Sequence, residues 1–137
     1  MKNVVVTGMG IVSCIGTGLE EVLASLKTGK SGISANSVYK EMGFKSQISG
    51  SIDINLADLI DRKTLRFMSE ASGFAYIAAK EAISNAGLTL EEMDTSRIGI
   101  VAGSGGASSA AQIEASDVAR KKGPKRIGPY AVTKTMG

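Results

Sequence analysis

The chain opens on an uninterrupted apolar run, Val4-Val5-Val6, with no polar alternation. A β-branched run of that kind reads as a strand covered on both faces, so Val4 to Thr7 is expected to be a buried strand. Gly8, Gly10, Gly16 and Gly18 follow, and they let the backbone turn sharply and approach another element closely. Helical spacing then takes over. Leu19, Val22, Leu23 and Leu26 form one apolar stripe, Thr17 and Glu20 have capping-box spacing, and Gly29 stands where the helix ends after Thr28. Strand, glycine turn, helix is the opening unit of an α/β protein, in which sites gather at the carboxyl ends of strands.

From Ile33 to Asn55 the pattern is broken by Gly43, Ser49, Gly50 and Ser51, and short runs such as Phe44 to Ile48 predict an irregular excursion with one or two short strands. Leu56 to Ile60 is a short helical piece. A long helix is expected over Leu65 to Ala86, where Met68, Ala71, Ala75, Ala78, Ala79, Ala82 and Ala86 recur at helical spacing and the alanines permit close approach. It stops at Gly87, and Thr89 with Glu92 suggests one further capped turn. Ile98 to Ala102 repeats the all-apolar strand pattern and runs into Gly103-Ser104-Gly105-Gly106. Ser109 and Gln112 have the spacing to start a helix that Gly123-Pro124 stops after Lys122. Ile127 to Tyr130 is extended by its proline, and Val132 to Met136 begins another helix.

At 137 residues the chain has the length of one small domain, and with only 4% aromatic residues its core must be built from Ala, Val, Ile, Leu and Met. Histidine is absent, so no imidazole chemistry resides here. The one cysteine, Cys14, has only neutral neighbours to lower its pKa and is expected to be buried and structural. A single thiol excludes an internal disulfide and fits a cytoplasmic location, and no signal peptide or membrane-spanning run is visible. No metal-ligand cluster stands out.

Two glycine motifs invite nucleotide readings. Gly8-Met9-Gly10 follows a strand, but Ser13 occupies the third glycine position of the dinucleotide fingerprint. Gly29-Lys30-Ser31 resembles the end of a phosphate-binding loop, but Ala24 replaces its first glycine and a helix precedes it. The net charge of +3 is too small for nucleic-acid binding, yet the cations cluster. Arg62, Lys63 and Arg66 share one side of a helix, and Arg120, Lys121, Lys122, Lys125 and Arg126 crowd one turn. One such group is an ordinary solvated face. Two suggest an acidic macromolecular partner.

Val4 to Ser13, Arg66-Phe67-Met68-Ser69, Gly103 to Gly106, and Gly128-Pro129-Tyr130 with Thr133-Lys134 together resemble the β-ketoacyl-acyl-carrier-protein synthases, nearest the type I enzymes of bacterial fatty-acid elongation. The resemblance covers residues 1–137. It implies a thiolase-like three-layer α/β/α sandwich, represented by part of its N-terminal half, in a cytoplasmic homodimer that needs no cofactor and binds neither nucleic acid nor membrane. The implied reaction is decarboxylative condensation of malonyl-acyl carrier protein with an enzyme-bound acyl thioester.

The family's nucleophilic Cys and its two His fall after Met136, so the resemblance implies that 1–137 ends before the nucleophile and is inactive alone. Arg62, Lys63 and Arg66 match one basic patch that receives the acidic helix of acyl carrier protein, and Lys122 and Lys125 match the second. Gly106 and Ala107 match the wall of the acyl pocket, and Met136 matches a residue that lines the partner subunit's pocket. The fold strand order 3-2-4-5-1 makes Val4 to Thr7 and Ile98 to Ala102 its first and second strands, which do not touch. Two other readings compete: a non-catalytic carrier-protein-binding subunit of chain-length-factor type, and a nucleotide-binding α/β domain.

Overall fold

The computed structural model describes residues 3–94 and 97–136, so both extreme ends of the expected 1–137 domain lie outside the described residues. In chain order the elements are β1 (Val12–Ser13), β2 (Gly16–Thr17), α1 (Leu19–Thr28), β3 (Ile33–Ala35), α2 (Ser37–Glu41), β4 (Ile48–Gly50), α3 (Leu56–Leu59), α4 (Arg62–Leu65), α5 (Glu70–Asn85), α6 (Leu90–Met93), α7 (Ser109–Lys122) and α8 (Ala131–Thr135). A 3₁₀ turn, Pro124–Arg126, follows α7. The chain divides into two units, Met1–Ile54 with Ile77–Thr89, and Asn55–Tyr76 with Leu90–Gly137.

In the first unit, β1 and β2 form a tight antiparallel hairpin with Val12 opposite Thr17, and β3 and β4 pair antiparallel with Ser34 opposite Ser49. The extended segment before β1 lies against the second half of α5. A Cβ on Gly8 would stand 2.7 Å from Ala86 N, and one on Gly10 would stand 2.8 Å from Ala82 N. Glycine on one side and alanine on the other therefore bring backbone onto backbone, which is the close approach the alanine spacing predicts.

Side chains of α5 tie this contact down. Met9 N–H donates to Asn85 Oδ1 at 3.2 Å and Ile11 N–H to Glu81 Oε2 at 2.9 Å. Glu81 Oε1 also accepts from Leu19 N–H, the first amide of α1, at 2.8 Å. The expected Thr17–Glu20 capping box is thus corrected. Gly18 is the N-cap and offers no side chain, so a carboxylate from a distant helix satisfies the amide instead. Gly29 does end α1 in the left-handed conformation at φ 67°, where Lys30 N–H reaches Ser25 O and closes a Schellman motif.

Val22 is buried, and so is Ser25, whose hydroxyl donates to Ile15 O at 2.6 Å. Leu23 and Leu26 of the same stripe stay 52% and 65% exposed. Cys14 is exposed rather than buried. Its Sγ lies beside Gly32 and Gly50.

Val4 to Thr7 and Ile98 to Ala102, expected as buried strands, are neither strand nor buried. Val4 is 96% and Val101 102% exposed, and no described residue joins either run in a ladder. A strand needs a neighbour for its backbone groups and a layer on each apolar face, and the described residues supply neither.

The expected helix Leu65–Ala86 starts later, as α5 at Glu70, and Leu65 ends the separate turn α4. Ser69 and Ser72 cap α5 reciprocally: Ser69 Oγ accepts from Ser72 N–H at 3.2 Å while Ser72 Oγ accepts from Ser69 N–H at 3.0 Å. That cap breaks the helix after Arg66. Asp61 caps α4 and Asn55 caps α3. The cap of α7 is Ser108, one residue before the expected Ser109, and its hydroxyl accepts from Ala111 N–H at 3.3 Å. Gly123 stops α7 as expected, at φ 85°. The turn α2, capped by Asn36, was not foreseen in the irregular stretch. Gly73 packs on Leu56, and Ile60 is buried beside the start of α4.

Loss of the Glu81 carboxylate should loosen α1 and the glycine segment together. Glu81→Ala is expected to destabilise the protein by roughly 2 kcal/mol, in the range of hydrogen bonds to a charged group. Glu81→Gln, which keeps one acceptor, should lose about half of that. Urea denaturation measures the loss, and amide exchange at Ile11 and Leu19 should accelerate together. Acceleration at only one of the two would refute the shared anchor.

Candidate functional site

Among the described residues, the second unit gathers most of the positive charge that has no ion-pair partner. Asp61 starts α4 by accepting from Lys63 N–H at 2.9 Å and Thr64 N–H at 3.0 Å. The Thr64 side-chain hydrogen bond, with these amides, holds the Asp61 carboxyl below its ordinary pKa of 3.8. The resulting single turn presents Arg62 and Lys63, with Arg66 directly after it. These three line one cleft of about 510 Å³ together with Tyr130.

Among the described residues, Arg66 is the one cation of the three that finds side-chain partners. Its Nη1 donates to Tyr130 Oη at 3.0 Å, and its guanidinium carbon stands 5.5 Å from the Tyr130 ring centroid and 5.9 Å from that of Phe67. The two rings meet edge to face, with centroids 4.8 Å apart. Sequence reasoning singled out the cations and placed Tyr130 only within a motif. The pairing spans 64 positions, which no local periodicity reveals.

Lys122 closes α7 and Lys125 sits in the 3₁₀ turn, both exposed. Nearby Lys121 pairs with Asp117 at 3.5 Å. None of Arg62, Lys63, Arg66, Lys122 and Lys125 forms an ion pair with a described carboxylate. The structure brings Arg62, Lys63 and Arg66 into one cleft, and it places Lys122 and Lys125 together on a separate turn of the same unit.

Gly106, Ala107 and Met136 come together as well. They line a cleft of about 660 Å³ whose other wall is the start of α5, at Ala71, Ser72 and Ala75. Small side chains leave the cleft wide, and a Cβ on Gly106 would meet nothing within 4 Å. Ser104 Oγ donates to Gly106 O at 2.8 Å and so fixes the turn that forms the mouth.

The glycine motifs are accounted for by packing. Gly8 and Gly10 lie on α5, leaving no space for a pyrophosphate, and the amide of Leu19 at the head of α1 is taken by Glu81. Gly29-Lys30-Ser31 follows a helix C-terminus, which carries the wrong end of the dipole for a phosphate. Among the described residues no helix is long and apolar enough to cross a membrane.

The family model for the β-ketoacyl synthase N-terminal domain matches residues 1–137. The 3-oxoacyl-acyl-carrier-protein synthase 1 of Haemophilus influenzae is 49% identical over 137 residues, covering 99% of this chain and 34% of the relative. The chain therefore spans about a third of the length of the curated relatives it matches. A β-ketoacyl synthase structure from Burkholderia phymatum covers 99% of the chain, and 34% of its own, at 26% identity and a TM-score of 0.78. A type II polyketide acyl-carrier protein in complex with its ketosynthase matches over 96% of the chain and 35% of its own, at 22% identity and a TM-score of 0.69. The fold is the thiolase-like α/β fold of ketosynthases, and the chain belongs to the β-ketoacyl synthase family, whose N-terminal domain it matches along its whole length.

Proposed function

We propose that this chain is the N-terminal part of a β-ketoacyl-acyl-carrier-protein synthase of fatty-acid elongation, working as a cytoplasmic homodimer. The observation that carries the reading is the cluster Arg62, Lys63 and Arg66, set on one cleft that no described carboxylate lines and in no ion pair with a described carboxylate. Cations left without partners at the surface are free to receive an acidic one. One related structure is a ketosynthase complexed with an acyl-carrier protein, which supports that choice of partner.

In the reaction proposed, an acyl group passes from the carrier's thioester to a cysteine thiolate, releasing the carrier thiol. Malonyl-carrier protein then loses carbon dioxide. The carbanion left behind attacks the enzyme thioester, forming the new carbon–carbon bond and freeing the thiolate. This chain has no histidine, and its one cysteine lies in the hairpin of β1 and β2. Its part is to recognise substrate. Arg62, Lys63 and Arg66 receive the acidic carrier, with Lys122 and Lys125 as a second contact. Gly106 and Ala107 leave room for the acyl chain, and Met136, exposed in the same cleft, is the residue that the family resemblance assigns to the partner's pocket.

Three outcomes test the reading. Purified alone, the 137-residue chain should form no β-ketoacyl product from acyl- and malonyl-carrier protein, and turnover by a homogeneous sample would refute it. In a full-length synthase bearing this segment, Lys63→Glu with Arg66→Glu should raise KM for carrier-protein substrates roughly tenfold. The difference should shrink as added salt shortens the screening length; an unchanged KM would remove the carrier-docking assignment. Gly106→Leu in the same synthase should cut kcat/KM for the longest acyl substrates by roughly tenfold, by filling the open cleft with a side chain. Shorter chains should be spared, and a product profile by mass spectrometry that does not shorten would move the acyl pocket elsewhere.

A further inference from the structure

Of the three cations on the α4 cleft, Arg62 and Lys63 have side chains without a hydrogen-bond partner among the described residues, whereas Arg66 is held twice by Tyr130. We propose that Tyr130 is a positioning residue: it fixes the Arg66 guanidinium in the orientation that meets a carboxylate of the acidic carrier protein. The proposal rests on the carrier-docking reading of the cluster.

Tyr130 is itself well anchored. It is the residue before α8, and its carbonyl accepts from Lys134 N–H at 3.0 Å and from Thr133 Oγ1 at 2.9 Å. The edge of the Phe67 contact restrains the ring. A half-buried ring on a pinned backbone therefore supplies both a hydroxyl acceptor and a π face to an exposed arginine. At 5.5 Å from the centroid, the guanidinium is within the ~6 Å reach of a cation–π contact.

The benefit is entropic. A free arginine side chain carries rotamer entropy that binding must suppress. Holding one Nη in advance removes part of that loss, and the rest of the five-donor fork remains free for a bidentate carboxylate contact. Arg66 is then the pre-organised anchor of the cluster, and Arg62 and Lys63 act as mobile charges that steer the encounter.

The test uses Tyr130→Phe in a full-length synthase bearing this segment, alone and combined with Arg66→Ala. Phenylalanine keeps the ring, the Phe67 contact and the fold, and removes only the acceptor. KM for malonyl-acyl carrier protein should rise about threefold, as for loss of one modest hydrogen bond, with kcat unaltered. Tyr130→Ala, lacking the ring too, should raise it further. In the Arg66→Ala background Tyr130→Phe should add nothing, because its target is gone. If Arg66→Ala raises KM and Tyr130→Phe does not, the positioning role is wrong while carrier docking stands. An equal Tyr130→Phe effect in both backgrounds, or a fall in kcat, also overturns it, since Tyr130 would then act by another route. If Arg66→Ala itself leaves KM unchanged, the docking reading of Arg66 fails first, and the positioning role with it.

Discussion

The carboxylate of Glu81 is the point on which the first unit turns. One oxygen holds the amide of Ile11 and the other the amide of Leu19, so the extended glycine segment and the head of α1 share one anchor on α5. The geometry works because two repeats coincide. Alternate residues of an extended chain are about 6.6 Å apart, and residues four apart on a helix rise about 6 Å. Met9 and Ile11 thus meet Asn85 and Glu81, while Gly8 and Gly10 step down the alanines between them. The segment runs antiparallel to the helix, and any side chain at either glycine would strike helix backbone. Gly10 and Ala82 are two halves of one steric requirement.

That requirement explains what could be read along the chain. Helix ends marked by a local rule were legible: Gly29 after α1, and Gly123-Pro124 after α7. The alanine spacing of α5 correctly announced a close approach, although not what would approach. The cap of α1 was misread because its acceptor lies 62 positions from Leu19, and capping-box spacing sees only four residues. The break before α5 was missed because the Ser69–Ser72 cap interrupts an apolar period that continues on both sides. The two apolar runs read as buried strands for a sound reason, but burial and pairing depend on neighbours, and residue pattern alone does not supply them.

The candidate site divides in the same way. The i, i+1, i+4 spacing showed that Arg62, Lys63 and Arg66 belong together, because one helical turn decides it. Which of the three is held in place could not be read, since Tyr130 comes from a different element. Gly106, Ala107 and Met136 were grouped only by family resemblance. Their meeting in one cleft depends on α8 returning to the glycine turn, where Ser108 N–H donates to Thr135 O at 3.2 Å. No periodicity in the sequence encodes that return.

The two basic groups do not weigh equally as signs of an external partner. Arg120, Lys121 and Lys122 end a helix of 14 residues, where cations are favoured by the partial negative charge of the last carbonyls. Those residues have a reason to be basic within the chain itself. The turn α4 has four residues and almost no dipole to satisfy. Its carboxylate, Asp61, accepts from the amides of Lys63 and Thr64 and forms no ion pair with a described cation, although the Lys63 charge also helps hold it ionised. Among the described residues Arg62 and Lys63 close no ion pair, and Arg66 is held by an uncharged hydroxyl that leaves its charge intact. Charge that closes no ion pair within the described residues remains available to an acid from outside. By that argument the proposal of an acidic partner leans on the α4 cleft more than on the turn after α7.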